Sequence, residues 1–513
     1  MQLSISDFGE EKDKEEGKKG DGGKAEKNGM GEKGANAESS ASISDFMKFS
    51  SSVGKEISSF SNVLLVGHFD ADGISSTAII ALFLKQKNIP FRVLTAKKTD
   101  SEILERIEKD SASEIILSDL GAGFLQKISE MKKRSIVVLD HHPPEKISNN
   151  NVSLVNPHVF GLDGAVSACS ASVAFSTLFR HVPISTAKRM AELSIVGAVG
   201  DMQDKSGGFI GVNSEILSLA KKMNVVEVRK DLRIFGRVSR TLVNFLSFCS
   251  EPFLPELTGN SKACALFLKK NNIHFLSKSG ERSYLHYYDL SEEEKRKFAG
   301  ALIAYCIEKK VKEQYIRAMV GDVYLFPSEQ KNTELFDAYE FSTVLNACGR
   351  TGHPDVGIKL CISEGEERPV ADAHRLLIEH RRAISEGIYF ARSNVEDFGS
   401  FYFLDGRDAI SDSIIGTIAG SFFNSGIVER DKPIIAFSID EKNNIKVSSR
   451  ACRELIEKGL NLGEVMQVSS SVAGGNGGGH NIAAGGSISP PAKESESAFL
   501  LKCAETIRRQ LGE

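Results

Sequence analysis

The sequence predicts an α/β protein with a parallel-sheet domain, a helical insert and a smaller α/β domain at its C-terminal end. Three observations support this fold class. Apolar runs of strand length alternate with helical patterns over residues 62–142, which is typical of a parallel sheet covered by helices. Helical patterns then dominate residues 214–335. Strand patterns return beside a glycine-rich segment within residues 336–513.

The first domain is defined by four apolar segments that have the length and composition of strands. They are NVLLVGHF, FRVLTA, EIILSDL and SIVVLDHH, and helical patterns separate them. This β-α-β-α order predicts a parallel sheet with helices on both faces. Residues 168–199 then have a mostly helical pattern, and we assign residues 42–213 to this domain.

The C-terminal domain combines strands, one clear helix and many glycines. A strand, SFYFLDG, precedes a helix, SIIGTIAGSFF, and the segments PIIAFSID and NIKVSSR are predicted to form a hairpin. The segment AGGNGGGHNIAAGG follows and is expected to be a loop. A length of 513 residues exceeds what one hydrophobic core supports, which agrees with several domains.

The N-terminal segment has the composition of a disordered tail. Residues 1–41 hold ten acidic and seven basic residues among glycine, asparagine, serine and alanine. Such a segment has too few apolar side chains to form a core. We therefore expect residues 1–41 to be a solvated tail, and order to begin near Ile43 with a helix.

Composition limits the partners and the cellular compartment. The net charge is −4, whereas proteins that coat nucleic acid by bulk electrostatics are usually basic, so any nucleic-acid contact must be a local groove. No run of 18 apolar residues and no secretory signal is found, which indicates no membrane partner. The eight cysteines are scattered without a CxxC pair, which argues against a zinc ribbon and favours a reducing cytoplasm.

Acidic and imidazole side chains occur where the predicted strands end. In a doubly wound parallel sheet, ligands bind at the carboxyl ends of the strands, so these side chains are predicted to meet at one edge. Residues two apart in an extended segment also point the same way. The residues at the ends of the first, third and fourth strands are His68, Asp70 and Asp72, then Asp119, then Asp140, His141 and His142.

Such a cluster needs a cation. Carboxylates packed together repel each other and stay protonated unless positive charge is present. Mixed carboxylate and imidazole ligands suit Mn²⁺, Fe²⁺ or Zn²⁺ better than Ca²⁺. Two such ions about 3.5–4 Å apart can hold a hydroxide and clamp a phosphoryl group. Asp201, at the end of an apolar helical stretch, is a further candidate ligand.

Each motif also has a plain structural interpretation when it is taken alone. HFDADG could be a turn with side-chain hydrogen bonds to its own backbone, and LDHHPP could be a loop that the prolines terminate. Asp119 could cap the next helix, and Asp201 could be an ordinary loop acid. The joint occurrence at several strand ends favours a site.

The four motifs HFDADG, LSDLG, LDHHPP and VGAVGDMQD, in this order, resemble those of the DHH phosphoesterase superfamily. KVSSR and GGGHNIAAGG are similar to the signature of the DHH-associated C-terminal domain. Further stretches, LVNPHVFGLDG, EVRKDLRIFGRVSR and EFSTVLNACGRTGHPDVGIKLC, resemble the archaeal RecJ-like exonucleases, also called GINS-associated nucleases. The resemblance covers about residues 44–510.

The resemblance implies a DHH domain at 42–213, the insert at 214–335 and the DHH-associated domain at 336–513. It also implies two divalent metal ions, Mn²⁺ first and Mg²⁺ as the alternative. Asp140 and His142 would orient the ligands or touch the scissile phosphate. The implied ligands are His68, Asp70, Asp72, Asp119, His141 and Asp201.

A second set of residues is expected to hold the substrate. Glycines let backbone N–H groups approach a phosphate closely, and arginine makes forked contacts with phosphate oxygens. Taken alone, the glycine run could be a flexible loop, NACGR could be a helix end, and Arg450 could pair with Glu454. The expected substrate-binding residues are Asn346, Arg350, Ser448, Arg450, Gly478, Gly479 and His480.

The resemblance implies a single-strand-specific exonuclease, cleaving DNA in the 5′-to-3′ direction during DNA replication or repair, with RNA as another substrate. It implies the GINS complex at the replication fork as a partner. Two alternatives remain open. One is a phosphodiesterase that acts on oligoribonucleotides or cyclic dinucleotides, and the other is a mainly structural component of the replication fork that binds GINS.

Overall fold

The computed structural model describes residues 32–131, 134–146, 151–205, 207–249, 252–276, 284–425 and 428–512. Its helices are α1 (Glu32–Ile57), α2 (Ala71–Gln86), α3 (Ser101–Lys109), α4 (Leu125–Ser129), α5 (Ser170–Leu178), α6 (Ile184–Gly200), α7 (Gly211–Lys222), α8 (Leu242–Ser247), α9 (Ser261–Lys270), α10 (Glu292–Glu308), α11 (Glu313–Ala318), α12 (Ala338–Arg350), α13 (Pro354–Ile362), α14 (Val370–Asn394), α15 (Ile415–Ser425), α16 (Arg453–Glu457), α17 (Leu462–Val472) and α18 (Lys493–Leu511). Its strands are β1 (Val63–His68), β2 (Phe91–Ala96), β3 (Glu114–Ser118), β4 (Ser135–Leu139), β5 (Val152–Val155), β6 (Glu227–Leu232), β7 (Val320–Leu325), β8 (Val395–Asp397), β9 (Tyr402–Asp405), β10 (Ile434–Ile439), β11 (Ile445–Arg450), β12 (Gly477–Gly479) and β13 (Ala483–Ile488).

The first sheet is parallel throughout, as the sequence predicts. Within the described residues it has five strands in the order β2-β1-β3-β4-β5. Alternate side chains of β1 enter opposite layers, because Leu64 and Val66 pack against α3 and α4 while Leu65 is buried on the other face. Strand β5 was not predicted from the sequence.

The described chain divides into two compact units. Unit 1 comprises the residues up to Asp231 together with Gly321–Ala373, and unit 2 comprises Leu232–Val320 together with the residues from His374 onward. This division differs from the predicted boundaries, which placed residues 336–373 with the C-terminal domain. Part of the predicted insert, residues 214–231, also belongs to unit 1.

Buried ion pairs explain why the later segment joins unit 1. Arg189 on α6 donates to Glu192 at 2.5 Å and to Glu329 at 2.8 Å. The other oxygen of Glu329 accepts from Arg368 at 2.8 Å. Such partners must stay together, because removal of one leaves an uncompensated buried charge that costs about 3–5 kcal/mol. The pairing is long-range and has no signature in the local sequence.

Unit 2 holds a mixed six-stranded sheet, counted within the described residues, in the order β12-β13-β11-β10-β9-β8. Strands β9 and β10 are parallel, and β10 and β11 form the predicted antiparallel hairpin. Ile435 and Phe437 pack against α17 and α18, whereas Ile434 and Ala436 pack against α15. This period-2 alternation buries both faces of the sheet.

The helical part of unit 2 has a core of its own. Side chains from α8, α9 and α10, including Phe245, Phe267 and Phe298, pack together there. Strands β6 and β7 pair in a two-stranded sheet near the points where the chain changes unit. The sequence predicted only helices here, because EVRKDL and VGDVYL lack a clean apolar alternation.

Several further expectations can be compared with the structure. Helix α1 begins at Glu32, before the predicted start near Ile43, so the last part of the predicted tail is helical; residues 1–31 lie outside the described residues. The glycine-rich segment, predicted as a loop, contributes β12 and β13. All eight cysteines are free and buried. Among the described helices, none is long and apolar enough to cross a membrane.

Candidate metal centre

Three parallel strands deliver the predicted ligands to one edge of the first sheet. Strand β1 ends at His68, Asp119 directly follows β3, and His141 lies two residues beyond the end of β4. In the order β2-β1-β3, β2 lies on one side of β1 and β3 lies on the other, so the connections leave β1 in opposite directions. Doubly wound sheets open a crevice at such a switch point, here between β1 and β3. The fold therefore brings together groups that are separated in sequence.

The first set of possible ligands is His68, Asp70 and Asp119. The Nδ1 atom of His68 lies 3.1 Å from Oδ2 of Asp70 and 3.1 Å from Oδ2 of Asp119. The Nε2 atom of His68 is 3.2 Å from the carbonyl oxygen of Lys97. A carbonyl only accepts hydrogen bonds, so Nε2 carries a proton and Nδ1 faces the acids.

The second set is Asp72, His141 and Asp201. The Nε2 atom of His141 lies 3.3 Å from Oδ2 of Asp201, and one donor atom from each of the three residues falls within 4.8 Å of the others. The Nδ1 atom of His141 donates to the carbonyl oxygen of Gly164 at 2.8 Å. Both histidines thus present one nitrogen to the acids and anchor the other on a backbone carbonyl, as metal-binding histidines do.

Asp119 connects the two sets. Its Oδ2 faces His68, and its Oδ1 lies 3.4 Å from Nε2 of His141 and accepts a hydrogen bond from the Ser170 hydroxyl at 2.9 Å. Its backbone has φ of +61°, a left-handed conformation that aspartate tolerates better than most residues. Residues held in this region cluster at functional sites, where the surroundings enforce them.

Asp72 is the most deeply buried acid of the centre. Its Oδ2 accepts the backbone N–H of Ser170 at 2.7 Å and its Oδ1 accepts that of Ala171 at 2.9 Å. These are the first amides of α5, so the carboxylate caps that helix and is stabilised by its N-terminal dipole. A Cβ on Gly197 would lie 2.6 Å from Oδ1 of Asp72, so α6 approaches closely because a glycine is present.

The electrostatics of the cluster are those of a cation site. Burial and the charge of Asp119 raise the pKa of Asp72 to about 7. Burial and the charge of Asp72 likewise raise the pKa of Asp201. Burial opposes the ionisation of Asp119, but hydrogen bonds from His141 and His68 lower its pKa overall. Divalent charge at this place would replace the protons that otherwise neutralise the acids.

The two histidines show the complementary shifts. Burial disfavours the charged form of His68, yet the charge of Asp70 and the hydrogen bond that the ring donates to Asp119 raise its pKa well above the usual value. Burial also disfavours the charged form of His141, whereas the hydrogen bond that this ring donates to Asp119 and the charge of Asp201 raise its pKa. Cations bound at Nδ1 of His68 and at Nε2 of His141 would displace the protons from these two atoms.

Asp140 lies beside the two sets, whereas His142 forms a third group of possible ligands with Asp119 and His141. Asp140 accepts hydrogen bonds from the backbone of Ala122 at 2.9 Å and of His141 at 2.8 Å, and from Nδ1 of His142 at 2.8 Å. That atom lies farther, 3.9 Å, from Asp119. Because the side chain of His142 is 56% exposed, Nε2 of this ring is available to a substrate.

The structure places Asn346 and Arg350 in unit 1, close to the first motif. Oδ1 of Asn346 accepts the backbone N–H of Ala71 at 3.1 Å. Burial lowers the pKa of Arg350, while the charge of Asp70 acts in the opposite direction. A Cβ on Gly349 would lie only 1.7 Å from the carbonyl oxygen of Phe69. Helix α12 therefore packs its NACGR segment directly against the turn that carries the ligands.

The remaining predicted substrate residues lie in unit 2 and are remote in sequence from the metal centre. Ser448 and Arg450 are two apart on β11 and face α15, because a Cβ on Gly416 would lie 2.6 Å from Nη2 of Arg450 and 3.3 Å from Oγ of Ser448. Nη1 of Arg450 donates to the carbonyl of Ser449 at 2.8 Å. Glu454, the alternative partner, pairs with Lys312.

The glycines of β12 differ in what they do. A Cβ on Gly477 would meet the carbonyl oxygen of Met466 at 2.3 Å, and Gly479 has φ of +135° with Ala484 Cα at 2.7 Å from its Cβ position. Gly478 has nothing within 4 Å and no positive φ. Its lack of a side chain therefore has no internal packing reason. His480 follows β12 and is exposed.

Sequence reasoning missed the groups that hold the ligands. Lys97, Gly164 and Ser170 contribute a carbonyl, a carbonyl and a hydroxyl to His68, His141 and Asp119 respectively. Backbone acceptors carry no residue-type signal. The extended LVNPHVFGLDG motif, which ends at Gly164, was the available clue.

A parallel sheet with paired carboxylate and imidazole sets at its switch point defines a metal-dependent phosphoesterase. Comparison with known families agrees. Family models described as "DHH family, N-terminal domain", "DHH-CID domain" and "DHHA1 domain" match residues 62–198, 234–320 and 401–507 respectively. The chain therefore contains a DHH N-terminal domain, a DHH-CID domain and a DHHA1 domain.

Relatives are similar over most of the chain. An uncharacterized protein of Methanocaldococcus jannaschii is 28% identical over 465 residues, covering 89% of this chain and 96% of the relative. The fold resembles Cdc45 of Entamoeba histolytica, with TM-score 0.59, 13% identity, and coverage of 91% of this chain and 99% of that one. RecJ of Thermus thermophilus in complex with Mn²⁺ gives TM-score 0.55 and 14% identity, with coverage of 90% of this chain and 55% of RecJ.

The first prediction concerns Asp119. Asp119→Asn should abolish Mn²⁺ binding and hydrolysis without unfolding the protein, because asparagine keeps the size and tolerates the left-handed backbone but loses the charge shared by both sets. Isothermal titration calorimetry and a cleavage assay measure the two effects. A reduction in activity smaller than about 10²-fold, the scale expected of an essential group, would contradict the role of Asp119 as a shared ligand. Asp355→Asn, at an exposed ion pair with Lys359, is the matched control.

The second prediction concerns the repulsion among the acids. Because the folded state raises the pKa of Asp201, forcing its ionisation at neutral pH destabilises the fold. When a chelator removes divalent ions, the Asp201→Asn protein should therefore have a higher Tm than the wild type at pH 8. The gain should vanish at pH below about 4, the ordinary aspartate pKa, where the native carboxyl is protonated anyway. A thermal-shift series across pH measures this. An unchanged or lower Tm at pH 8 would show that the acids do not repel.

Proposed function

We propose that this chain is a metal-dependent exonuclease that hydrolyses phosphodiester bonds of single-stranded nucleic acid, in the 5′-to-3′ direction on DNA, in DNA replication or repair in the cytoplasm. The observation that carries the proposal is the position of Asp119, whose two oxygens face two separate ligand sets. Shared carboxylates of this kind hold two divalent ions at one phosphoryl group. Polarity and DNA preference rest on the resemblance to RecJ-like exonucleases.

The donors present fit two divalent ions, Mn²⁺ first and Mg²⁺ as the alternative. His68 and Asp70 would hold one, Asp72, His141 and Asp201 the other, with Asp119 shared. When bound, such ions activate a water molecule and stabilise charge on the phosphoryl oxygens. Oxygen and imidazole donors without thiolates suit Mn²⁺ and Mg²⁺. Solved RecJ structures are described as complexes with Mn²⁺ and with Mg²⁺.

His142 is the residue of unit 1 best placed to touch the substrate. The hydrogen bond to Asp140 raises its pKa, which burial and the nearby His141 only partly oppose. The shift favours the protonated ring, which can donate from Nε2 to a phosphate oxygen or to the leaving oxygen. Asp140 fixes the ring by the hydrogen bond to Nδ1. Arg350, close to Asp70, adds positive charge beside the ligands.

Unit 2 supplies the groups that would hold the strand. Gly478 lies on the edge strand β12, where open space surrounds the position that a Cβ would take, so a phosphate can approach the backbone N–H groups. Gly479 and the exposed His480 continue this edge, and Ser448 and Arg450 offer side-chain donors on β11. Contacts of this kind read the backbone rather than the bases, which suits an exonuclease with little sequence preference.

Two alternatives are distinguishable. A phosphodiesterase for oligoribonucleotides or cyclic dinucleotides would use the same metal centre on a small substrate. The other alternative is a structural component of the replication fork that binds GINS, and the chain shares its fold with Cdc45. The second alternative does not explain why every predicted ligand is present and assembled. A partner such as GINS is compatible with a nuclease, and exposed Leu266 and Ile307 on the helical part of unit 2 offer surface for it.

The test is product analysis with single strands of DNA and RNA labelled at either end, under Mn²⁺ and under Mg²⁺. We expect short products released progressively from the 5′ end of DNA. Faster cleavage of a dinucleotide than of a strand of about 20 nucleotides would favour the phosphodiesterase that acts on small substrates. No metal-dependent cleavage of any of these substrates, with Mn²⁺ bound, would favour the structural one.

The prediction for unit 2 is that Gly478→Ala raises KM for a single strand by about 10-fold or more with kcat little changed, because a methyl group blocks approach to the backbone without disturbing internal packing. Steady-state kinetics on a short DNA strand measures this. Gly300→Ala on α10, which also has open space around its Cβ position, is the matched control. An unchanged KM for Gly478→Ala would move the phosphate contact elsewhere.

A further inference from the structure

One backbone carbonyl in unit 1 serves two buried donors. The carbonyl oxygen of Gly164 accepts Nδ1–H of His141 at 2.8 Å and Nε2–H of Gln203 at 2.9 Å. A carbonyl has two lone pairs, so both bonds can form at once. A Cβ on Gly164 would lie 2.0 Å from the carbonyl oxygen of His141, so only glycine brings the two segments this close. The position of Gly164 therefore fixes the orientation of the His141 ring.

A chain of buried side chains continues from this carbonyl. Because the Nε2 group of Gln203 donates, its Oε1 atom must accept, and it does so from Nδ2 of Asn213 at 2.6 Å. Oδ1 of Asn213 in turn accepts from the Ser172 hydroxyl at 2.5 Å. Each group in the chain has one defined donor and one defined acceptor role, which favours a single arrangement over several. Gln203 and Asn213 are 4% and 3% exposed, so solvent offers no replacement partner.

The backbone between Asp201 and Gln203 directs both side chains toward the candidate metal centre. Met202 has φ of +58°, which is uncommon for a residue other than glycine, and its own side chain is exposed. This reversal sends the flanking side chains of Asp201 and Gln203 to the same side. The motif VGAVGDMQD thus contains the candidate ligand Asp201 and, two residues later, Gln203. The amide of Gln203 bonds the same carbonyl as the candidate ligand His141.

We infer that Gln203, supported by Asn213, is a positioning residue of the metal centre that acts through the Gly164 carbonyl on His141. This inference rests on the proposed metal centre. The carbonyl holds the proton on Nδ1 and leaves Nε2 for a cation, and Gln203 holds the carbonyl in place. Partners of metal-binding histidines typically contribute 10–100-fold to metal affinity. Among the side-chain hydrogen bonds described here, Asn213 reaches the Gly164 carbonyl only through Gln203. Its other partner is Ser172, which also contacts Cys169.

The test is a double-mutant cycle read as Mn²⁺ affinity by isothermal titration calorimetry on the full chain. Gln203→Met keeps the length of the side chain and removes the amide. We expect it to weaken Mn²⁺ binding about 10- to 100-fold, with cleavage restored at saturating Mn²⁺. Asn213→Leu should weaken binding in the wild-type background and add little in the Gln203→Met background, since both act on one carbonyl.

The control separates positioning from loss of stability. Thr177→Val removes another buried hydrogen bond of unit 1, from the Thr177 hydroxyl to the carbonyl of Val173 at 2.8 Å. It should lower Tm without changing Mn²⁺ affinity. Wild-type affinity in a folded Gln203→Met protein, or equal weakening by Thr177→Val, would overturn the inference. Should Gln203→Met fail to fold, Asn213→Leu alone against Thr177→Val decides it. Absence of Mn²⁺ binding by the wild type would instead overturn the proposed function.

Discussion

Buried negative charge at the carboxyl edge of the first sheet is the constraint on which the rest of the structure depends. Asp72, Asp119 and Asp201 would repel one another in any fold that left them unsupported, and burial strengthens that repulsion. The chain supplies what a protein can supply without a metal, namely two imidazoles, a hydroxyl and the first amides of a helix. The residual negative charge suits the site to divalent cations.

The backbone, more than the side chains, sets the geometry of this centre. Helix α5 points its N-terminal amides at Asp72, carbonyl oxygens of Lys97 and Gly164 fix the two histidines, and left-handed turns at Asp119 and Met202 aim the acids. Groups held by rigid backbone need little rearrangement when charge develops, which is how preorganised sites stabilise a transition state. The strained turn at Asp119 persists because the residue is buried within the centre.

These facts explain which features the sequence could predict. Strands β1, β3 and β4 are apolar runs that end at ligand-type residues, so both the parallel sheet and the candidate ligands were visible from local patterns. Short β5 has only four residues, and the glycine-rich strand β12 has no side chains to alternate, so neither produces a periodic signal. The assignment of residues 321–373 to unit 1 follows from contacts between distant segments, which include the packing of α12 on α2 and α6, the packing of α13 on α2 and the ion pairs of Glu329.

The same reasoning separates the ligands from their supports. His68 and Asp119 stand in motifs whose residue types point to metal binding, whereas Gly164 and Gln203 act through a carbonyl and an amide, which occur everywhere in a chain. Their roles follow only from distances. Local sequence therefore predicts the chemistry of the centre, and tertiary contacts determine how firmly that chemistry is held.

Charge also links the metal centre to its substrate. A chain of net charge −4 with an acidic cluster at its metal centre repels a polyanion at that place, and divalent charge held there would remove the repulsion. On the proposed function, metal loading therefore precedes productive binding. Arg350 beside Asp70 and the open backbone at Gly478 supply local attraction that does not depend on the metal. This order would protect single strands from the metal-free protein and make cleavage respond steeply to cation concentration.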